Sequence, residues 1–191
     1  MVTKPVELPD NFYEKAKPRL LRRVGRELSL AYRILDLGCG NCGLVQFLRK
    51  TYRQRVTGVD ISDGSFPRHD APLQRPSPLR CIKADAAHLD FVKDGVMDAV
   101  VSMWALHEMK NPGGVLREAF RVLRPGGEML IIDFPRNSLA QRLWNEKYYT
   151  LKGVVRLVRE ARLQDVRVKT IERGQIIWAT GFRQAEEESE R

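Results

Sequence analysis

The chain has 191 residues, 43% of them apolar and 30% charged, with a formal net charge of +9 and a pI near 9.7. That is ordinary for a soluble globular protein of one domain, long enough to bury a substantial core. No run of about 18 apolar residues exists, the opening M-V-T-K-P-V-E-L-P-D lacks a signal-peptide core, and the three cysteines are an odd number, so a cytoplasmic protein with reduced thiols is expected.

In chain order, residues 1–9 read as a loose arm. Asp10 can cap a short helix from Asn11, and Pro18 opens a second one that carries Leu20, Leu21, Val24, Leu28 and Leu30 on one side. Residues 1–33 thus form an N-terminal helical cap. Phe12 and Tyr13 either close over a ligand or pack as core, and Tyr13 is carried as a candidate substrate contact.

The stretch R-I-L-D-L-G-C-G-N-C-G-L, Arg33 to Leu44, reads as a buried strand, a glycine turn and a helix start. Glycines let the backbone pass close to a ligand, and the free N–H groups of a first helical turn point above the strand. Gly38, Gly40 and Gly43 spell GxGxxG, a pattern shared with dinucleotide sites. Asp36 separates the two readings, because a carboxylate there repels a pyrophosphate and attracts a ligand bearing an ammonium and a sulfonium. The stretch resembles motif I of the class I S-adenosylmethionine-dependent methyltransferases, except that Cys42 stands where the third glycine usually comes.

A helix to about Tyr52 leads to the strand Q-R-V-T-G-V-D, whose closing Asp60 has the spacing of a ribose-binding acid. Asp63 to Arg80 holds four prolines and reads as a long loop, with Arg68, His69 and Arg75 either meeting substrate or solvated. A third strand closes at Asp85. Met97 to Met103 reads as a central parallel strand, and W-A-L-H-E-M leaves its carboxyl end, where open α/β sheets bind ligands. A helix from about Pro112 to Leu123 is ended by Pro125, Gly126 and Gly127. The phrase L-R-P-G-G before E-M-L-I-I-D-F is a second point of resemblance to the methyltransferases. One or two helices from Ser138 to about Leu163 precede two alternating strands joined at Arg173-Gly174, and the end is a charged tail.

The resemblance covers about Ile34 to Phe134. It implies an α/β, doubly wound, mostly parallel seven-stranded Rossmann-like sheet with a C-terminal antiparallel hairpin over residues 34–184, and a disordered tail over 185–191. It implies S-adenosylmethionine as cofactor, with Asp36, Gly38 and Gly40 at the methionine moiety, Asp60 at the ribose, Ile61, Asp85 and Ala86 at the adenine, and Met103 in the floor. The acceptor would be a small molecule, as in the quinone-biosynthesis C-methyltransferases, with Trp104 and Tyr148 beside Tyr13 as candidate contacts. His107, whose unperturbed pKa lies near 6.5, is the candidate base. C-G-N-C has no second ligand pair, so no metal is expected. Three rivals stand: an RNA methyltransferase using the basic flanks before Ile34 and after Pro135, a nicotinamide-dependent reductase, and a cofactor-binding protein without catalysis. The oligomeric state is not written in the sequence.

Overall fold

The structure is a computed structural model that describes residues 8–67 and 80–185. Among the described residues, five α-helices, α1 (Phe12–Glu27), α2 (Gly43–Tyr52), α3 (Pro112–Val122), α4 (Leu139–Trp144) and α5 (Leu151–Glu160), and a single 3-10 turn at Leu106–Glu108 flank seven strands. The strands are β1 (Arg33–Leu37), β2 (Arg55–Asp60), β3 (Arg80–Lys83), β4 (Met97–Met103), β5 (Leu123–Asp133), β6 (Gln164–Ile171) and β7 (Ile176–Phe182). They make one sheet in the order β3-β2-β1-β4-β5-β7-β6, parallel from β3 to β5, with β7 antiparallel to both neighbours. This is the seven-stranded, doubly wound sheet expected from the sequence.

Period-two alternation divides the core between the two faces of the sheet. Ile34, Ala99, Val101, Leu130, Ile132 and Trp178 pack with residues of α1, α2 and α4 on one face. Their neighbours Leu35, Val100, Met129, Ile131 and Ile177 pack with α3 and α5 on the other. With helices on both faces, β1 from Ile34, the middle of β4 and β5 from Met129 are buried on both sides, which is why these stretches read as mostly apolar runs.

Five readings are corrected. Pro18 lies inside one continuous helix, because Phe12, Tyr13 and Ala16 before it and Leu20 and Val24 after it bury on a common face. At about 1.5–3 kcal/mol for each large side chain, that burial outweighs the roughly 3 kcal/mol of an interior proline. Leu30 falls beyond the helix end and is 98% exposed, and Tyr32 is also exposed. Pro125-Gly126-Gly127 does not precede the strand but lies within β5, as a bulge where the register jumps from Met97↔Leu123 to Ala99↔Glu128. β7 does not alternate, since it is interior to the sheet and covered on both sides.

The fifth concerns the thiols. Cys42 and Cys81 are disulfide-bonded, with Cα atoms 6.6 Å apart, and Cys39 Sγ lies 3.8 Å from Cys42 Sγ. Cys81 stands alone only in sequence, for β3 pairs beside β2, and Gly58 of β2 lacks a side chain, since a Cβ there would meet Cys39 Sγ at 2.7 Å. Among the described residues, no helix is long and apolar enough to cross a membrane. The proline-rich segment 68–79 and the tail from 186 lie outside the described residues.

Candidate functional site

The carboxyl ends of β1, β2 and β4 open into a cavity of about 590 Å³, within the range of small-molecule sites. All eight residues expected at a cofactor line it: Asp36, Gly38, Gly40, Asp60, Ile61, Asp85, Ala86 and Met103. The glycine turn is tied to β2, since Val59 O accepts from Gly38 N at 2.8 Å and from Cys39 N at 3.0 Å, and Asp60 Oδ2 accepts from Gly40 N at 2.8 Å. Gly38 and Gly40 have φ of +75° and +49°, a region that side chains with a Cβ rarely enter. A Cβ on Gly38 would collide with Ala105, whereas one on Gly40 would project into open space. The turn thus exposes bare backbone to the cavity.

Asp36 is 2% exposed, and burial, then the charge of Asp60, push its pKa up to about 7. Among the described residues no cationic side chain pairs with it. Four carboxylates, of Asp36, Asp60, Asp85 and Glu108, line the cavity against two ammonium groups, of Lys17 and Lys110. A chain of net charge +9 therefore presents an acidic cavity.

The expected substrate and catalytic residues divide. Trp104 lines the cavity, at a φ of +61° and with its ring stacked on Phe134 at 5.5 Å. Tyr13 and Tyr148 do not. The Tyr13 hydroxyl accepts from Ala140 N at 2.9 Å, and its ring packs on Phe134 at 4.8 Å and Trp144 at 5.4 Å, so it is core on the α1 side. Tyr148 is buried, its ring 4.6 Å from that of His107.

His107 sits behind the cavity wall with its side chain 4% exposed, Nδ1 2.6 Å from Asp133 Oδ1 and Nε2 3.1 Å from Glu146 Oε2. Burial works against its charged form, but the hydrogen bond and charge of Asp133, joined by Glu108 and Glu146, raise its pKa above the ordinary imidazole value. A histidine flanked in this way is not presented to an acceptor as a free base. The neighbour that lines the cavity is Glu108.

Asp133 and Glu146 were missed from sequence. Asp133 had a signal, since it closes β5 in L-I-I-D-F as Asp60 closes β2. Glu146 had none, because it follows α4 and reaches the site only through the fold.

Residues 35–131, just over half of the chain, match the family described as Methyltransferase domain. The chain belongs to the S-adenosylmethionine-dependent methyltransferases. The chain is 35% identical over 126 residues to a 27-O-demethylrifamycin SV methyltransferase of Amycolatopsis mediterranei, covering 63% of this chain and 46% of that protein. It is 33% identical over 104 residues to the mitochondrial arginine-hydroxylase NDUFAF5 of Danio rerio, covering 54% of this chain and 30% of that protein. The chain thus spans less than half the length of these two relatives. Its fold is that of a SAM-dependent methyltransferase from Archaeoglobus fulgidus, with a TM-score of 0.70 at 16% identity over 88% of this chain and 93% of that one. The methyltransferase cavity fits the family's cofactor on its own evidence. A buried carboxylate without a counter-cation suits a cationic ligand, and glycines at positive φ leave the wall open to it.

Proposed function

We propose that this chain transfers a methyl group from S-adenosylmethionine to a small, neutral or cationic acceptor. The observation that carries the reading is the acidic cavity of a basic protein. Its wall of four carboxylates favours a cationic cofactor and disfavours the phosphates of a dinucleotide or a nucleic acid at the reacting end.

When bound, S-adenosylmethionine supplies a methyl group on a positively charged sulfur. Asp36 would hold its cationic methionine end beside the Gly38–Gly40 backbone. Asp60 accepts one bond from Gly40 N and one from Ser62 N at 3.0 Å, and its remaining lone pairs would take the ribose hydroxyls. Ile61, exposed and apolar, and Asp85 with Ala86 would meet the adenine. Trp104 and Met103 would floor the acceptor side. Because the leaving group is already activated, the chain's work is to align the acceptor and keep water out.

Calorimetric titration with S-adenosylhomocysteine and, in parallel, NADH tests the cofactor. Binding of the first alone, lost in Asp60→Ala, is the expected result. Binding of NADH alone would overturn the reading in favour of the reductase. Methyl transfer from labelled cofactor to small molecules or to RNA then tests the acceptor, and salt-sensitive labelling of RNA would move the assignment to nucleic acid.

A further inference from the structure

The carboxyl ends of β4 and β5 gather four titratable side chains, of which only Glu108 lines the cavity and none is needed as a base for methyl transfer. His107 is held from behind by Asp133, itself 1% exposed, which accepts from the His107 backbone N–H at 3.0 Å and stands 2.6 Å from Nδ1. Nε2 consequently points away from β5, toward Glu146 Oε2 at 3.1 Å and Glu108 Oε1 at 3.7 Å. The donor atoms of His107, Glu108 and Glu146 all lie within 4.8 Å of one another. Ligands at about 2.1 Å from a tetrahedral ion stand about 3.4 Å apart, between the two distances found here. Charge points the same way. Three carboxylates against one imidazole leave an excess of two negative charges even when the ring is protonated, and among the described residues no lysine or arginine pairs with any of the three.

We propose that His107, Glu108 and Glu146 bind a divalent transition-metal ion, through Nε2 and one oxygen of each glutamate, with Asp133 as the positioning residue that fixes the imidazole. A carboxylate behind a ligating histidine is the usual means of setting its tautomer and basicity. One nitrogen and two oxygens suit Zn²⁺, Mn²⁺ or Co²⁺ rather than a soft ion, which would prefer a thiolate such as that of Cys39. Both glutamates are substantially exposed, so small rotations bring their oxygens to bonding distance. Three protein ligands leave a coordination position open, and Glu108 places the ion at the edge of the cavity.

The test uses the full chain, stripped with chelator and titrated with Co²⁺ in the absence of cofactor, reading the visible d–d band of a low-coordinate ion. One equivalent is expected to bind, the band should vanish in the Glu108→Gln/Glu146→Gln double variant, and Asp133→Asn should weaken affinity by about 10- to 100-fold. Both glutamines replace exposed side chains, and circular dichroism checks that the fold persists. No band, a band unchanged in the double variant, or a thiolate charge-transfer band abolished by Cys39→Ser would each overturn the site. Since no cofactor is present, failure here leaves the methyl-transfer reading untouched.

Discussion

Replacing Asp36 by Asn should stabilise the ligand-free protein and weaken its cofactor binding, with opposite dependences on pH. In the folded chain the pKa of Asp36 is about 7 against an ordinary 3.8, because burial and then Asp60 disfavour its charge. A group raised in this way contributes stability that is complete below about pH 4 and is lost as pH rises through 7. At about 1.4 kcal/mol per pH unit, the loss by pH 8 is about 4 kcal/mol. Asparagine mimics the neutral acid at every pH. Urea melts of the two proteins should therefore coincide near pH 4 and separate by several kcal/mol at pH 8, with the variant the more stable. Cofactor binding runs the other way, since the ionised fraction of wild-type Asp36 rises about tenfold from pH 6 to pH 8 and affinity for a cation should follow it. A stability gap that stays constant between pH 4 and 8 would refute the argument. So would equal pH dependence of binding in the two proteins.

Other substitutions separate the scaffold from the site. Gly38→Ala forces a Cβ into Ala105 at a φ of +75° and should cost about 2 kcal/mol in a urea melt, with loss of S-adenosylhomocysteine binding. Gly40→Ala meets no neighbour within 4 Å, so its stability cost should be smaller while calorimetry shows binding still impaired. Cys81→Ser opens a link spanning 39 residues and should lower stability by about 2–4 kcal/mol, matched in the wild type by adding dithiothreitol. Insensitivity of the wild-type melt to reductant would contradict the disulfide. Thr150 accepts from Gly153 N at 3.0 Å to cap α5, so Thr150→Ala should lose about 1 kcal/mol and leave cofactor affinity unchanged.

Where local chemistry dominates, the sequence was readable. The strand-turn-helix around Asp36 needs only an apolar run and glycines to declare itself, and the acid at Asp60 follows from strand-end spacing, whereas Asp85, expected to close the third strand, lies two residues beyond the end of β3 at Lys83. Placement that depends on what packs above was not readable. Nothing local distinguishes Tyr13 as core from Tyr13 as lid, and the difference is set by α4 and Phe134 closing over it. Pro18 misled because its local cost was visible and the burial that outweighs it was not. Cys81 and Glu146 acquire partners only when distant segments are brought together, Cys81 by the pairing of β3 with β2 and Glu146 by the path of the chain after α4.

The place of β7 in the sheet bears on how the molecule is made. It comes after every other strand in chain order, yet it lies between β5 and β6 and supplies the hydrogen-bonding partner of β5 from Glu128 to Asp133. On the ribosome, the parallel half and its helices emerge first, and until Ile176 to Phe182 follow, β5 carries a bare apolar border able to pair with a neighbouring chain. Closure of the sheet is therefore a late, long-range event. Until that one seven-residue strand arrives, the Glu128–Asp133 stretch of β5 lacks its hydrogen-bonding partner.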